Sequence, residues 1–252
     1  VFLIHIFTSS AMGSMIETSG NIETIDSKTP GSDIIHWQYS LDTIAIGTLD
    51  ARSMEWTGNS EMLVVRLHPE YWTFASRYYR SLPAEQRLSA QEWLQQTKSS
   101  IVINAGQYGT DFRHLGWFVH QSRNLGTRQH PIWKGLFTGD PKPGSGLPLL
   151  QIHDLQETPL TLERLPFQEA AQSLMLFDTR GTIRVNRSNR HARRCIIAED
   201  HQGFLYIFVT RGECTLWNLA RYLMKLEVSL KHAMSLDGGA QAQISLKVDD
   251  TE

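Results

Sequence analysis

The chain has 252 residues, of which 41% are hydrophobic and 20% are charged, and its net charge is -2. This composition is typical of a globular protein with one substantial core, and the near-neutral charge argues against a protein that binds nucleic acid through a broad basic surface. No segment approaches the roughly 18 consecutive apolar residues of a membrane-spanning helix, so stable membrane insertion is not expected either.

Residues 1–33 are predicted to form a flexible leader ahead of a single domain at 34–252. The opening "VFLIHIFTSSA" is an apolar run followed by small residues, which resembles the end of a signal peptide and favours a periplasmic or secreted protein. The letters "AMGS" at 11–14 fit a cloning remnant equally well. Residues 12–33 are polar and aperiodic, as flexible segments are.

The first part of the predicted domain is rich in strand signals. Residues 34–49 and 61–68 are β-branched and aromatic, which predicts strands, and 71–80 mix strand and loop. Ser89 and Glu92 have capping-box spacing and predict a helix start, with Leu88 and Trp93 placed as a hydrophobic staple. The apolar "SIVINAG" then predicts a buried strand that stops at Asn104.

Residues 107–165 show little periodicity and contain many glycines, prolines, histidines and tryptophans. A connection of this length inside a compact domain is typically functional, so we expect residues 107–150 to fold over a binding site. The histidines of this region lack metal-ligand spacing, and neither a metal nor another cofactor is expected. Those histidines are His114, His120, His130 and His153.

The C-terminal third is more regular. Turn residues at 179–181 and 201–203 predict two β-hairpins, and Thr215 precedes an amphipathic helix pattern. Residues 232–236 predict a strand that ends at Asp237. This order of elements predicts an α+β fold: a single mixed domain with several β-hairpins and a few helices packed on the sheet. Cys195 and Cys214 could form at most one disulfide.

Two predicted strands end in a polar residue followed closely by glycine. These segments are Asn104-Ala105-Gly106 and Asp237-Gly238-Gly239, and Arg194 opens a third predicted strand. Polar groups at strand ends are held rigidly, and glycine lets a ligand approach the backbone. Asp-Gly-Gly is also a strong hairpin signal, so a purely structural turn is the alternative.

The order of "INAG", "QS", "RCIIAEDHQG", a helix beginning "TL" and "LDGG" resembles the phosphodiester glycosidase family over residues 44–247. The resemblance implies a hydrolase that cleaves a sugar-1-phosphodiester, with roles in the envelope or exopolysaccharide metabolism of bacteria. Two departures are Gln107-Tyr108 after Asn-Ala-Gly, where the family usually has aromatic residues, and Ala240-Gln241 after Asp-Gly-Gly, where it usually has Gly or Ser, so that a hydroxyl group is missing. Motif positions carried over are Asn104, Gly106, Gln172 with Ser173, Arg194, Asp237, Gly238 and Gly239.

The chemistry of this bond suggests roles for these residues. A phosphate monoester is a good leaving group, so the site must supply an anion clamp and a carboxylate near the developing oxocarbenium ion. Arg194 suits the first role, Asp237 the second, and Asn104 could orient the sugar or phosphate. The amides of Gly238 and Gly239 could form an anion-binding nest. Further substrate contacts are expected from Gly106, Tyr108, Gln172, Trp117 and Trp133.

Several structural alternatives remain open. Arg194 could have the purely structural role of pairing with Glu199 or Asp200, and Asn104 could have the purely structural role of capping a loop. The basic run at 187–194 is either a solvated loop or a local anion site. For the whole protein, the alternative function is a catalytically weak module that binds a phosphorylated glycan during polymer assembly, which the Ala240-Gln241 departure favours. The oligomeric state does not follow from the sequence.

Overall fold

The computed structural model describes residues 2–8, 34–78 and 88–247. These residues form fifteen strands and two α-helices. The helices are α1 (Ala90–Thr97) and α2 (Leu216–Leu223). The strands are β1 (Phe2–Thr8), β2 (Ile35–Ser40), β3 (Ile44–Asp50), β4 (Glu61–Leu67), β5 (Trp72–Tyr78), β6 (Ile101–Asn104), β7 (Phe118–His120), β8 (Arg123–Asn124), β9 (Gly135–Pro141), β10 (Leu150–Asp154), β11 (Phe167–Phe177), β12 (Cys195–Asp200), β13 (Leu205–Thr210), β14 (Leu230–Ser235) and β15 (Ile244–Leu246).

The strands form two antiparallel sheets. The smaller sheet has the order β15-β6-β1-β5. The larger sheet follows the order β10-β9-β11-β14-β12-β13-β4-β3-β2, with β7 paired to β11 and β8 paired to β7. The prediction of a mixed α+β fold is therefore wrong, because the described residues are 44% strand and hold only two α-helices, each eight residues long.

The main core lies between the two sheets, and the helices cover their outer faces. Ile4 and Ile6 of β1 and Ile103 of β6 point into this core, where they join Val65 and Ile197 of the larger sheet. The alternate residues of the smaller sheet pack against α1, as expected for side chains that alternate across a strand; they are Leu3 and Val102, which meet Ala90, Trp93 and Leu94. On the far side, α2 packs on the larger sheet through Leu219, Ala220 and Leu223.

The apolar run at the start of the chain is an internal strand. β1 lies between β5 and β6, with Leu3 opposite Asn104 and His5 opposite Val102. The expectation of a flexible leader is therefore wrong for residues 2–8. A short apolar run is typical both of a signal peptide and of a buried strand, so the sequence pattern does not distinguish them. Residues 9–33 of that leader lie outside the described residues.

Several local predictions are confirmed and two are corrected. The Ser89–Glu92 capping box starts α1, Thr215 caps α2, and β12 and β13 form the hairpin around 201–203. The hairpin at 179–181 is reduced to one bridge, between Phe177 and Ile183, because β11 pairs with β9 and β14 instead. The region 107–165, expected to be a long loop, contains β7 to β10. Neither helix of the described residues is long and apolar enough to cross a membrane.

Candidate active site

Asp237 lies where the chain crosses from the larger sheet to the smaller one. β14 belongs to the larger sheet, whereas β15, beyond Asp-Gly-Gly, pairs with β6 of the smaller sheet. Asp-Gly-Gly therefore does not close a hairpin, and the structural alternative of a hairpin turn is wrong. The crossover is held from both sides, because Asp237 N donates to Ala105 O and Gly239 N donates to Arg193 O, each at 2.9 Å.

Asn104 fastens this crossover to the end of β6. Its Nδ2 donates to Asp237 O at 2.8 Å and to Ala105 O at 3.2 Å, and its Oδ1 accepts from Gln243 N at 3.1 Å. The side chain is buried, and both ends of its amide bond the backbone. Asn104 thus helps to position Asp237 through hydrogen bonds to the backbone, as expected from the alternative in which Asn104 caps a loop.

The carboxyl group of Asp237 is partly buried at the crossover. Its Oδ1 accepts from Gly238 N at 2.9 Å, and within the described residues its Oδ2 accepts no hydrogen bond. Burial raises the pKa of Asp237 to about 6, although the Gly238 amide and the charge of Arg190 favour the ionised form. A carboxyl group with this pKa changes its charge near neutral pH, as groups at catalytic sites often do.

Arg194 lies on the other side of Gly238, at the start of β12. It is 8% exposed, its Nε donates to Cys214 O at 3.0 Å, and its Nη2 donates to Arg190 O at 2.7 Å. Its Nη1 makes none of the hydrogen bonds found among the described residues and lies 3.4 Å from the Cβ position of Gly238. Burial lowers the pKa of this guanidinium.

The alternative of an ion pair between Arg194 and a neighbouring acid is wrong. Glu199 instead accepts hydrogen bonds from Lys231 and His232, and Asp200 accepts them from Gln202 N and Phe204 N in the β12–β13 turn. Arg194 is therefore a buried cation held by carbonyl groups, without a carboxylate partner among the described residues. Such a group attracts an anionic ligand, because its charge is only partly compensated.

The two glycines after Asp237 allow the close packing of the crossover. A Cβ on Gly238 would lie 2.9 Å from Arg193 O, and Gly239 has φ +67°. However, the Gly238 amide donates to Asp237 and the Gly239 amide donates to Arg193. An anion-binding nest of these two amides is therefore not formed, since both protons are already used within the protein.

Gln172 organises the loops at 116–133. Its Oε1 accepts from Trp117 N at 3.0 Å and from His130 N at 2.9 Å, and its Nε2 donates to His130 O and Trp133 O. The residue is fully buried. Its side chain has no capacity left for a substrate, so the geometry gives it a supporting role. Ser173, its neighbour, donates to Ser235 O at 2.5 Å.

Gly106 faces Gln172 and His114 rather than open space. A Cβ at this position would lie 2.7 Å from His114 Nε2 and 2.8 Å from Gln172 O. Burial lowers the pKa of His114 to about 4, so its imidazole is neutral at pH 7. Glycine is required here because the strand end and the loop behind it approach so closely.

The aromatic residues expected to contact sugar differ in their exposure. Trp117 is only 6% exposed and packs in a hydrophobic cluster with Val119, Leu136 and Phe167, so its proposed stacking role is wrong. Trp133 is half-buried and stacks on His130, with ring centroids 4.0 Å apart. Tyr108 is half-buried and forms a β-bridge with His114. The contacts of Trp133 and Tyr108 with the substrate remain predictions.

One group of acids in the described residues has metal-ligand spacing, and Asp237 is not one of its members. Asp154, Glu157 and Asp178 bring carboxylate oxygens within 4.8 Å of one another. Arg184 Nη1 lies 3.2 Å from Asp154 and 3.3 Å from Asp178, so a cation already occupies the space between these acids. Cys195 and Cys214 are both buried free thiols.

Arg190 was not predicted from the sequence as an individual site residue. Arg190 supplies the carbonyl that holds Arg194, and its charge favours the ionised form of Asp237. The signal for it was the dense charge of the basic run at 187–194, which the sequence leaves open as a solvated loop or a local anion site. Cys214 could not have been found, because it acts through a backbone carbonyl.

The chain is thus a two-sheet β protein in which Asp237 and the buried Arg194 both lie next to Gly238, where the chain crosses between the sheets. A carboxyl group and a partly compensated guanidinium near the same glycine are suited to the chemistry of an anionic ligand.

A comparison of the sequence with models of protein families identifies the family of this chain. The family model of the phosphodiester glycosidases matches residues 99–251, which is more than half of the chain and contains all of the motifs above. The chain belongs to the phosphodiester glycosidase family. No curated protein matches it significantly.

Two solved structures resemble the fold. One is the catalytic domain of zebrafish N-acetylglucosamine-1-phosphodiester alpha-N-acetylglucosaminidase, auto-inhibited by its pro-peptide, at 17% identity with a TM-score of 0.54. That match covers 87% of this chain and 76% of the zebrafish chain. The other is a hypothetical protein from Synechocystis, at 12% identity with a TM-score of 0.57, covering 85% of this chain and 60% of that one. At these identities the likeness concerns the fold.

Proposed function

We propose that this protein hydrolyses a sugar-1-phosphodiester, releasing the free sugar and a phosphate monoester of the aglycone. The observation that carries the proposal is the position of Asp237 and Arg194 on either side of Gly238. One group offers a carboxyl oxygen, and the other offers a guanidinium nitrogen without a protein partner among the described residues. Family membership supports the same reaction class.

In the proposed reaction the bond between sugar C1 and the phosphodiester oxygen breaks. The bonding electrons leave with the phosphate, which becomes a monoester, and water supplies the new hydroxyl on C1 and a proton to solvent. Arg194 Nη1 stabilises the leaving phosphate, because a buried guanidinium strengthens its attraction for an oxyanion. The Asp237 carboxylate stabilises the positive charge that develops at C1.

The experiment that tests this proposal follows the oxygen of water. The protein is incubated in ¹⁸O-labelled water with the methyl phosphodiester of N-acetylglucosamine, and both products are analysed by mass spectrometry. Label in the sugar and none in methyl phosphate is expected, since the C1–O bond breaks. Label in the phosphate would overturn the proposal in favour of a phosphodiesterase, which breaks the P–O bond.

A binding module without turnover is the competing function. The absence of a hydroxyl residue at Ala240 and Gln241 favours it, because a side chain that could hydrogen-bond phosphate is missing there. Retention of the intact diester without release of sugar would support this module. We place the proposed reaction in the periplasm or outside the cell, in envelope or exopolysaccharide metabolism, and cell fractionation tests this location.

A further inference from the structure

A basic cleft lies between the N-terminal end of α2 and the loop that precedes β12. Its volume is about 490 Å³, within the range of small-molecule pockets. Ser188 and Thr215 contribute to its walls. The other lining residues that matter here are Arg187, Asn189, His191, Trp217, Asn218 and Arg221.

The charge of this cleft is mostly uncompensated. Arg187 lies over the Trp217 ring, 4.8 Å from its centroid, and neither Arg187 nor Arg221 forms an ion pair within the part of the chain that is described. The one acid in the wall is Glu55, which accepts a hydrogen bond from Asn218 Nδ2 at 3.3 Å. An anion entering the cleft meets two arginines and one carboxylate that is already engaged.

The cleft adjoins the site of Asp237 and Arg194 through the backbone. Asn189 and His191 line the cleft on either side of Arg190, whose carbonyl accepts from Arg194 Nη2. Thr215 follows Cys214, whose carbonyl accepts from Arg194 Nε. Both walls of the cleft therefore begin at the groups that hold Arg194.

We propose that this cleft is the aglycone subsite and that it selects an aglycone bearing a second anionic group, such as a phosphate, beyond the scissile phosphodiester. This inference rests on the proposed function, because the bound group is an aglycone only in a reaction that cleaves a sugar phosphodiester. With the diester phosphate at Arg194, the group esterified to it extends into the cleft. Asn189 and Asn218 then face hydroxyl groups, and Arg187 and Arg221 bind the second anion, for which arginine forks are well suited.

A second cleft extends this surface along α2. Its volume is about 460 Å³, and it shares Glu55, Asn218 and Arg221 with the first while adding Lys225. The additional cation keeps the sign of the charge the same along the groove. A ligand longer than one sugar ring therefore meets further positive charge, which raises local anion concentration and association rates.

The test compares two probes that differ by one phosphate, glucose 6-phosphate and glucose 1,6-bisphosphate. Both are phosphate monoesters, as the aglycone product is, and binding is measured by titration calorimetry without any need for turnover. The unmodified protein is expected to bind the bisphosphate at least about 10-fold more tightly, the scale of one charge-assisted contact. The double variant Arg187→Gln/Arg221→Gln should bind both probes equally.

The control is Arg164→Gln, which removes the same charge from an exposed residue outside the two clefts. It should keep the full preference, and thermal unfolding should show all variants folded. Equal binding of the two probes by the unmodified protein, or a preference that survives in the double variant, would overturn the aglycone subsite. A protein that hydrolyses no sugar phosphodiester yet prefers the bisphosphate through these arginines would overturn the proposed function and support the anion site.

Discussion

The carboxyl group of Asp237 combines a raised pKa with an oxygen that no described residue engages. If its negative charge acts mainly in the transition state, Asp237→Asn should lower kcat about 100-fold or more and leave KM nearly unchanged. The thermal midpoint at pH 7.5 should stay constant or rise, because asparagine can keep the acceptor for Gly238 N without burying a charge. Steady-state kinetics and thermal unfolding measure both effects.

Asp42→Asn, the same change in the exposed turn between β2 and β3, is the control for this experiment and should retain full activity. An Asp237→Asn protein that unfolds at a much lower temperature but keeps its turnover would show that Asp237 serves the crossover rather than the chemistry.

The pH dependence of kcat/KM distinguishes two roles for Asp237. Because the pKa of Asp237 is about 6, a reaction that needs the carboxylate should accelerate as pH rises through about 6, whereas one that needs the acid should slow down there. We expect the rising profile. Arg190→Gln removes a charge that lowers the pKa, so the midpoint should move up by roughly a few tenths of a unit or more.

A pH series of kcat/KM for the unmodified protein and the Arg190→Gln variant measures this shift. Arg164→Gln removes an equal charge elsewhere and should leave the midpoint in place. A profile that falls through pH 6 would assign Asp237 the role of general acid.

Residue identity alone could not separate ligand contacts from supporting contacts at this site. Asn104, Gln172 and Trp117 were predicted from motif positions or composition, and all three side chains are buried in the protein. An amide that bonds a loop and an amide that bonds a sugar use the same donors and acceptors, so the sequence does not distinguish them. The sequence points more directly to Asp237 and Arg194 as candidates for ligand contact, because a charged group at a strand end has few purely structural uses.

At the scale of elements, the crossover between β14 and β15 depends on Asn104. Asn104→Leu removes the donor to Asp237 O and the acceptor for Gln243 N, leaving two partly buried backbone groups unpaired. We expect a loss of about 2–4 kcal/mol in the free energy of unfolding, from about 1–2 for each group. Urea unfolding measures this loss, and kcat should fall with it because Asp237 is no longer held.

Asn104→Asp provides a second comparison, since it keeps the acceptor for Gln243 N, loses the donor to Asp237 O and Ala105 O, and buries a carboxyl group against these two carbonyl oxygens. It should be destabilised at pH 7 and should regain stability as the pH falls and the buried carboxyl group is protonated. An Asn104→Leu protein with unchanged stability and a raised KM would instead place Asn104 in direct contact with the substrate.

Short sequence motifs correctly predicted those elements that are determined by contacts between residues close together in the sequence. The capping box of α1, the Thr215 cap of α2 and the β12–β13 hairpin all follow from contacts within a few residues. β7 and β8 could not be found, because strands of three and two residues are too short to show alternation. The crossover at Asp237 was hidden for another reason: Asp-Gly-Gly fits a hairpin locally, and only the pairing of β15 with β6 excludes one.

At the scale of the whole molecule, the two sheets and the covering helices bury several titratable groups. His5 of β1 packs beneath α1, where its Nδ1 lies 2.8 Å from Thr97 Oγ1, and its ring meets the edge of Trp93. Burial lowers the pKa of His5 to about 3 and that of His114 and His153 to about 4. These three histidines belong to different parts of the fold, so their protonation reports on the stability of the molecule as a whole.

The folded protein should therefore lose stability as the pH falls below about 6.5. In that range the unfolded chain protonates these histidines while the folded chain does not, so each contributes stability that is present above pH 6.5 and lost on acidification. Together they should remove up to about 5 kcal/mol between pH 7 and pH 5, against which the raised pKa of Asp237 restores about 1. Urea unfolding at half-unit steps measures this slope. His5→Gln should reduce the histidine contribution by about a third, and a slope that is the same in both proteins would show that His5 is protonated in the folded state.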